Sequence, residues 1–96
     1  MSRKKVFRFR LFVAGDTPNS MQALGNLTAL CNAHLPGHHE IEIVDVFREP
    51  LLALAEGILM TPTLVKLAPG PAQKIVGTLS QTHTVLVALG LPDNPP

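Results

Sequence analysis

The chain has 96 residues, 46% hydrophobic and 16% charged, with neither tryptophan nor tyrosine. That length suits one domain with one core, and the composition excludes a disordered chain. A formal net charge of +1 is too small to draw the whole surface to nucleic acid, and no long apolar run opens the chain, so neither a signal peptide nor a membrane span is expected.

Phe7, Phe9, Leu11 and Val13 alternate with Arg8, Arg10 and Phe12. Period two predicts a strand, ending at Gly15. Asp16 or Thr17 is expected to accept backbone N–H bonds at a helix start. Pro18 suits the first helical position, where its missing N–H has no partner. Leu24, Leu27, Cys31 and Leu35 then share one helical face, with Ala23 and Leu30 beside them. Pro36-Gly37 stops that helix. A second strand is predicted over Glu40 to Val46, with Ile41 and Ile43 facing one way and Val44 and Val46 the other. Joined through the helix, it suits a parallel partnership with the first.

Pro50 opens a short helix over Leu51 to Glu56, closed by Gly57. Thr61-Pro62-Thr63 leads into a third strand, Leu64 to Leu67. Pro69-Gly70-Pro71 makes a turn, and Gln73 to Val76 is a short fourth strand. Ser80 is expected to cap a last helix through Leu89, with Val85, Leu86 and Leu89 inward. Gly90 suits the left-handed stop, and Pro92 prevents extension. Residues 1–5 and 91–96 are expected to be loose ends of a single domain spanning 1–96.

The order β-α-β-α-β-β-α is that of a thioredoxin-like α/β fold with a mixed four-stranded sheet. Such a fold carries two redox cysteines where its first strand turns into its first helix. Here that turn reads Gly15-Asp16-Thr17-Pro18-Asn19-Ser20, which holds no thiol. Thr61-Pro62 stands where the fold keeps a proline, often cis, before its third strand, and a cis bond is expected there.

The residues with chemistry have plain structural readings. Cys31 is the single cysteine, so no internal disulfide forms, which fits a reducing cytoplasm. It lies on the apolar stripe near the end of its helix, and is read as a small buried hydrophobe. His34 and His38 have i, i+4 spacing, but Pro36-Gly37 breaks the helix between them, so a polar loop is preferred to a metal site. Glu40, Glu42 and Asp45 do not make a catalytic pair. The basic run Arg3, Lys4, Lys5, Arg8 and Arg10 is read as a solvated terminus and an outward strand face, since no aromatics alternate with it to stack bases. No catalytic residue, cofactor or metal is expected.

Leu11 to Ser20, Val44-Asp45-Val46, Leu59-Met60-Thr61-Pro62-Thr63-Leu64 and Ile75-Val76-Gly77-Thr78-Leu79-Ser80 together resemble the KaiB family of bacterial circadian clock proteins. The spacing of these blocks fits from about Phe7 to Leu89. The resemblance implies a non-enzymatic regulator with two folds of one sequence. One is a tetrameric ground state with its own C-terminal topology. The other is a monomeric thioredoxin-like state that binds the KaiC ATPase ring, sequesters KaiA and displaces the sensor domain of the kinase SasA.

This sequence departs from the family pattern at several positions. Ala88 replaces a usual glycine and Gly90 a usual aspartate. Alanine propagates a helix better than glycine by ~0.5–1 kcal/mol. Both changes favour a last helix ending at Gly90, so Pro62, Ala88 and Gly90 are the expected determinants of fold state. Glu40 and Glu42 stand where clock KaiB is neutral or basic. Gln22 and Gly57 also replace basic residues, whereas Arg48, Lys66 and Lys74 keep positive charge. The partner surface is expected on the second strand, an edge, and the helix after it. Glu40 and Glu42 are its main candidates, with Arg48 and Lys66 carried over from the family. A thioredoxin-fold oxidoreductase or thiol-dependent transferase is the alternative, and the cysteine count opposes it.

Overall fold

The computed structural model describes Lys5 to Leu91. Its elements are β1 (Phe7–Val13), α1 (Pro18–His34), β2 (His39–Asp45), α2 (Pro50–Ala55), β3 (Thr63–Ala68), β4 (Gln73–Val76) and α3 (Thr82–Leu89). The sheet runs β2-β1-β3-β4. β1 pairs parallel with β2 and antiparallel with β3, and β4 extends the sheet antiparallel to β3. This is the mixed four-stranded arrangement expected from the sequence.

β1 is central, and both of its faces are covered. Phe9, Leu11 and Val13 pack with Ala23, Leu27, Leu30 and Cys31 of α1 and with Val85, Leu86 and Leu89 of α3. Phe12, on the opposite face, packs with Val44, Val65 and Ala53 of α2. The first cluster holds thirteen buried described residues and the second holds four. Each large apolar side chain taken fully from water contributes ~1.5–3 kcal/mol. The α1/α3 layer therefore anchors the fold, and α2 is held more lightly.

Two expected caps differ. Thr17 is the N-cap of α1, yet its side chain bonds no helix N–H. Its hydroxyl donates instead to Ser20 Oγ at 2.9 Å. Gln81, not Ser80, stands at the N-cap of α3. Ser80 Oγ faces the hydroxyl of Thr78 instead. The C-terminal stop is as expected. Gly90 has φ +77°, a left-handed conformation that suits glycine. Its N–H donates to Val87 and that of Leu91 to Leu86, the paired bonds of a Schellman stop. Leu91 packs on the core, so this residue is not the loose one expected. The looseness expected of 1–4 and 92–96 lies outside the described residues.

Candidate protein-binding surface

The surface begins at the β1–α1 turn, where a thioredoxin would hold its thiols. Ser20 is buried there and accepts from the Ala14 N–H at 3.0 Å as well as from Thr17. Gly15 turns the chain at φ +57° and donates its N–H to Asp45 Oδ1 at 3.2 Å. The same oxygen takes the Phe47 N–H at 2.9 Å. Asp45 thus ties the end of β2 to the turn and sets Phe47 beside Gly15. The turn is a polar clasp of hydroxyls and one carboxylate.

Cys31 is remote from it, on the buried face of α1. Burial pushes its thiol up to about 12, because a thiolate would lose its water there. At neutral pH it stays protonated and enclosed. His39 Nδ1 donates to the Leu35 carbonyl at 2.8 Å, and His34 ends α1. Among the described residues no group of His, Cys, Asp or Glu is placed to hold a metal ion.

Among the described residues β2 borders only β1, so one side of its backbone ladder is unpaired there. Glu40 and Glu42 lie on it, as predicted, but they are not lone charges. Arg8 stands directly opposite Glu40 and Arg10 opposite Glu42. The exposed pair Arg8–Glu40 is long, at 3.6 Å. Arg10 is half-buried and holds Glu42 at 2.8 Å and Glu56 at 2.7 Å. The Glu42 hydrogen bond is the main cause that raises the Arg10 pKa above its ordinary value. The expectation of a solvated outward face therefore fails for Arg10. Its pairing depends on strand register and on the return of α2, and neither shows in local sequence.

Arg48 is exposed just beyond β2, close to Glu42, Asp45 and Glu49 around an open groove of about 740 Å³. Lys66 is not on this surface. It is 5% exposed, lies in β3 under the end of α3, and its Nζ donates to the Leu89 carbonyl at 3.4 Å. The ammonium also sits 5.9 Å from the Phe7 ring centre. Pro62 is buried behind a cis Thr61–Pro62 bond, as expected. Ala68–Pro69 and Gly70–Pro71 are cis as well, without a signal in the sequence reading. Ala88 and Gly90 sit at the end of α3, far from β2 in sequence.

The sequence reading missed the most exposed apolar group. Phe47 is 73% exposed, Leu51 80%, Leu54 74%, Leu59 91% and Met60 63%. They lie on α2 and the segments that flank it. A signal was present: Pro50-Leu51-Leu52-Ala53-Leu54-Ala55 has no polar position, so a surface helix of this sequence must show leucine to water whichever side it buries.

The KaiB domain model matches residues 10–91. The chain belongs to the KaiB family. It is 43% identical over 95% of its length to the circadian clock oscillator protein KaiB of Prochlorococcus marinus MIT 9313, covering 76% of that protein. It is 42% identical over the same share to that of Synechococcus sp. RCC307, covering 83% of it. Among solved structures, the N-terminal domain of Synechococcus elongatus SasA superposes with a TM-score of 0.67 at 25% identity, over 94% of this chain and 89% of that one. Chloroplastic thioredoxin z gives 0.73 at 19% identity, over 91% and 79% of the two chains, a likeness of fold alone. This KaiB-family chain therefore has the thioredoxin-like arrangement, with a thiol-free clasp at the usual redox turn. No helix among the described residues is long and apolar enough to cross a membrane.

Proposed function

We propose that this KaiB-family chain is a non-enzymatic cytoplasmic regulator that acts by binding a KaiC-type ATPase, with KaiA- and SasA-like proteins as further partners. The observation that carries the reading is the pairing of an open β2 edge with a redox turn built without thiols. Membership of a clock-protein family and likeness to a SasA domain support the choice of partner. The binding form is the thioredoxin-like monomer; a tetrameric alternative fold is a minor state, disfavoured by Ala88 and Gly90.

An edge strand offers unpaired N–H and C=O groups to an incoming strand, and the side chains beside it set specificity. Glu40, Glu42 and Arg48 are the contact residues in this proposal. Lys66, being buried, acts instead on the end of α3. Cys31 opposes the redox reading, since a protonated thiol inside the core is a poor nucleophile.

The test is a sedimentation titration of the chain against a purified KaiC-type ring. A stoichiometric complex is expected. Glu40→Lys with Glu42→Lys is expected to weaken it by about tenfold or more, roughly 1.4 kcal/mol. Absence of any complex, or unchanged affinity in the double variant with its circular dichroism intact, contradicts this reading of partner or of edge.

A further inference from the structure

α3 is held very differently at its two ends. Its C-terminal end has the paired bonds of the Gly90 stop and the Lys66 ammonium on the Leu89 carbonyl. Its N-terminal end has no such closure. Gln81 stands at the N-cap without a side-chain bond, and the first turn carries no acidic residue. Ser80 Oγ accepts from the Thr78 hydroxyl instead of capping the helix. The chain that leads into this end is strained. Leu79 has φ +63°, the one non-glycine residue in the left-handed region among the described residues. For a leucine that backbone costs an energy of the same order as burying one side chain returns. Leu79 is nonetheless buried and packs in the α1/α3 core cluster. Two residues earlier Gly77 has φ +118°, which glycine takes without that penalty. From α1, Asn26 reaches across to this loop and donates through Nδ2 to the Thr78 carbonyl at 2.8 Å. Beside the loop a cleft of about 250 Å³, bordered by Ile75, Thr84 and Val85, leaves room for movement.

We infer that the loop 77–81 is a strained latch for α3, and that Asn26 is the clamp that keeps it shut. The Leu79 side chain stays seated only while its backbone is held in a conformation that it resists. Release of the Thr78 carbonyl lets Leu79 relax toward negative φ, which draws its side chain from the core and frees the first turn of α3. The N-terminal end is thus the end from which α3 opens. Opening lifts Val85 and Leu86 away from Leu64 and Ile75 of the sheet. α1 controls α3 through a single amide. The inference rests on the reading of α3 as the element that decides the fold state, and it names the residues that hold that element closed. It requires no partner.

The test is native-state hydrogen exchange, read amide by amide by NMR. Asn26→Ala removes the clamp, and Asn26→Asp removes only its donor at nearly unchanged size. Thr28→Ala, exposed on the same helix, is the control. Circular dichroism and the thermal midpoint verify the folds. In both Asn26 variants the α3 amides are expected to exchange at least about tenfold faster, while the β1 amides change by less than about twofold. Thr28→Ala is expected to move neither set. A second readout separates a strained latch from an ordinary hydrogen bond. Leu79→Gly removes the strain, so in that background Asn26→Ala is expected to accelerate α3 by less than about threefold further. Should Leu79→Gly fail to fold, Leu79→Asn takes its place, because asparagine accepts a left-handed backbone. Unchanged α3 exchange in the Asn26 variants overturns the inference, and so does equal acceleration of every amide. An effect of Asn26→Ala that is the same in both backgrounds overturns it too. No KaiC-type ring enters the experiment. A chain that binds no such ring but shows these accelerations overturns the choice of partner and supports the latch. A chain that binds the ring but shows none of them overturns the latch and leaves the proposed function standing.

Discussion

Arg10 binds two carboxylates from different parts of the chain, Glu42 of the edge strand and Glu56 at the end of α2. Through them a single side chain positions both halves of the candidate surface. Arg8 repeats the cross-strand pairing two residues away with Glu40, but in solvent, where a long ion pair contributes little. Cys31 shows the opposite case, a group stabilised by remaining uncharged. Its thiol is raised from an ordinary 9.0 to about 12 by burial. The unfolded chain thus releases that proton first. The stability due to the neutral thiol is whole below about pH 9 and falls as pH rises toward 12. Unfolding free energies from urea titrations across this range are expected to drop in wild type by on the order of a few kcal/mol more than in Cys31→Ala. Parallel curves for the two would refute the assignment. The burial of Cys31 was legible, because an apolar stripe at helical spacing reports which face meets the core. The pairing of Arg10 was not, because only the folded register brings residues 10, 42 and 56 together.

At the scale of elements, β1, β4 and the Gly90 stop were readable from period and punctuation alone. The caps were less so. Thr17 and Ser80 have the right chemistry for their places, but Ser20 and the β4–α3 loop draw their hydroxyls elsewhere. A residue list cannot rank such competing hydrogen bonds. α2 was placed correctly, yet its solvent face was hidden, since an all-apolar helix has no moment to reveal it. In the proposed function, α3 is the element on which the fold state turns. Its end is closed by the Gly90 stop and by the Lys66 ammonium on the Leu89 carbonyl, a cation at the negative end of a helix. Ala88→Gly is expected to cost ~0.5–1 kcal/mol, and Gly90→Asp a further ~1 kcal/mol for its left-handed backbone. Hydrogen exchange of the α3 amides is expected to accelerate about tenfold or more in the double variant, while the β1 amides change less. Equal acceleration everywhere would show that α3 does not open on its own.

For the whole molecule, the two layers have unequal weight. The heavy α1/α3 layer fixes the sheet, and the light α2 layer sits beside the open edge and bears the exposed leucines. A binding surface built on the lighter layer can adjust to a partner without disturbing the main core. Every element of that surface depends on the thioredoxin-like order of strands: β2 at the edge, α2 across Phe12, and α3 packed beneath β1. The decisive measurement is therefore the backbone chemical shifts of the isotope-labelled chain in solution. Strand shifts over Gln73–Val76 and helical shifts over Thr82–Leu89 are expected in the major species, as the thioredoxin-like fold requires. Strand shifts across Val85 to Leu89 in that species would contradict it.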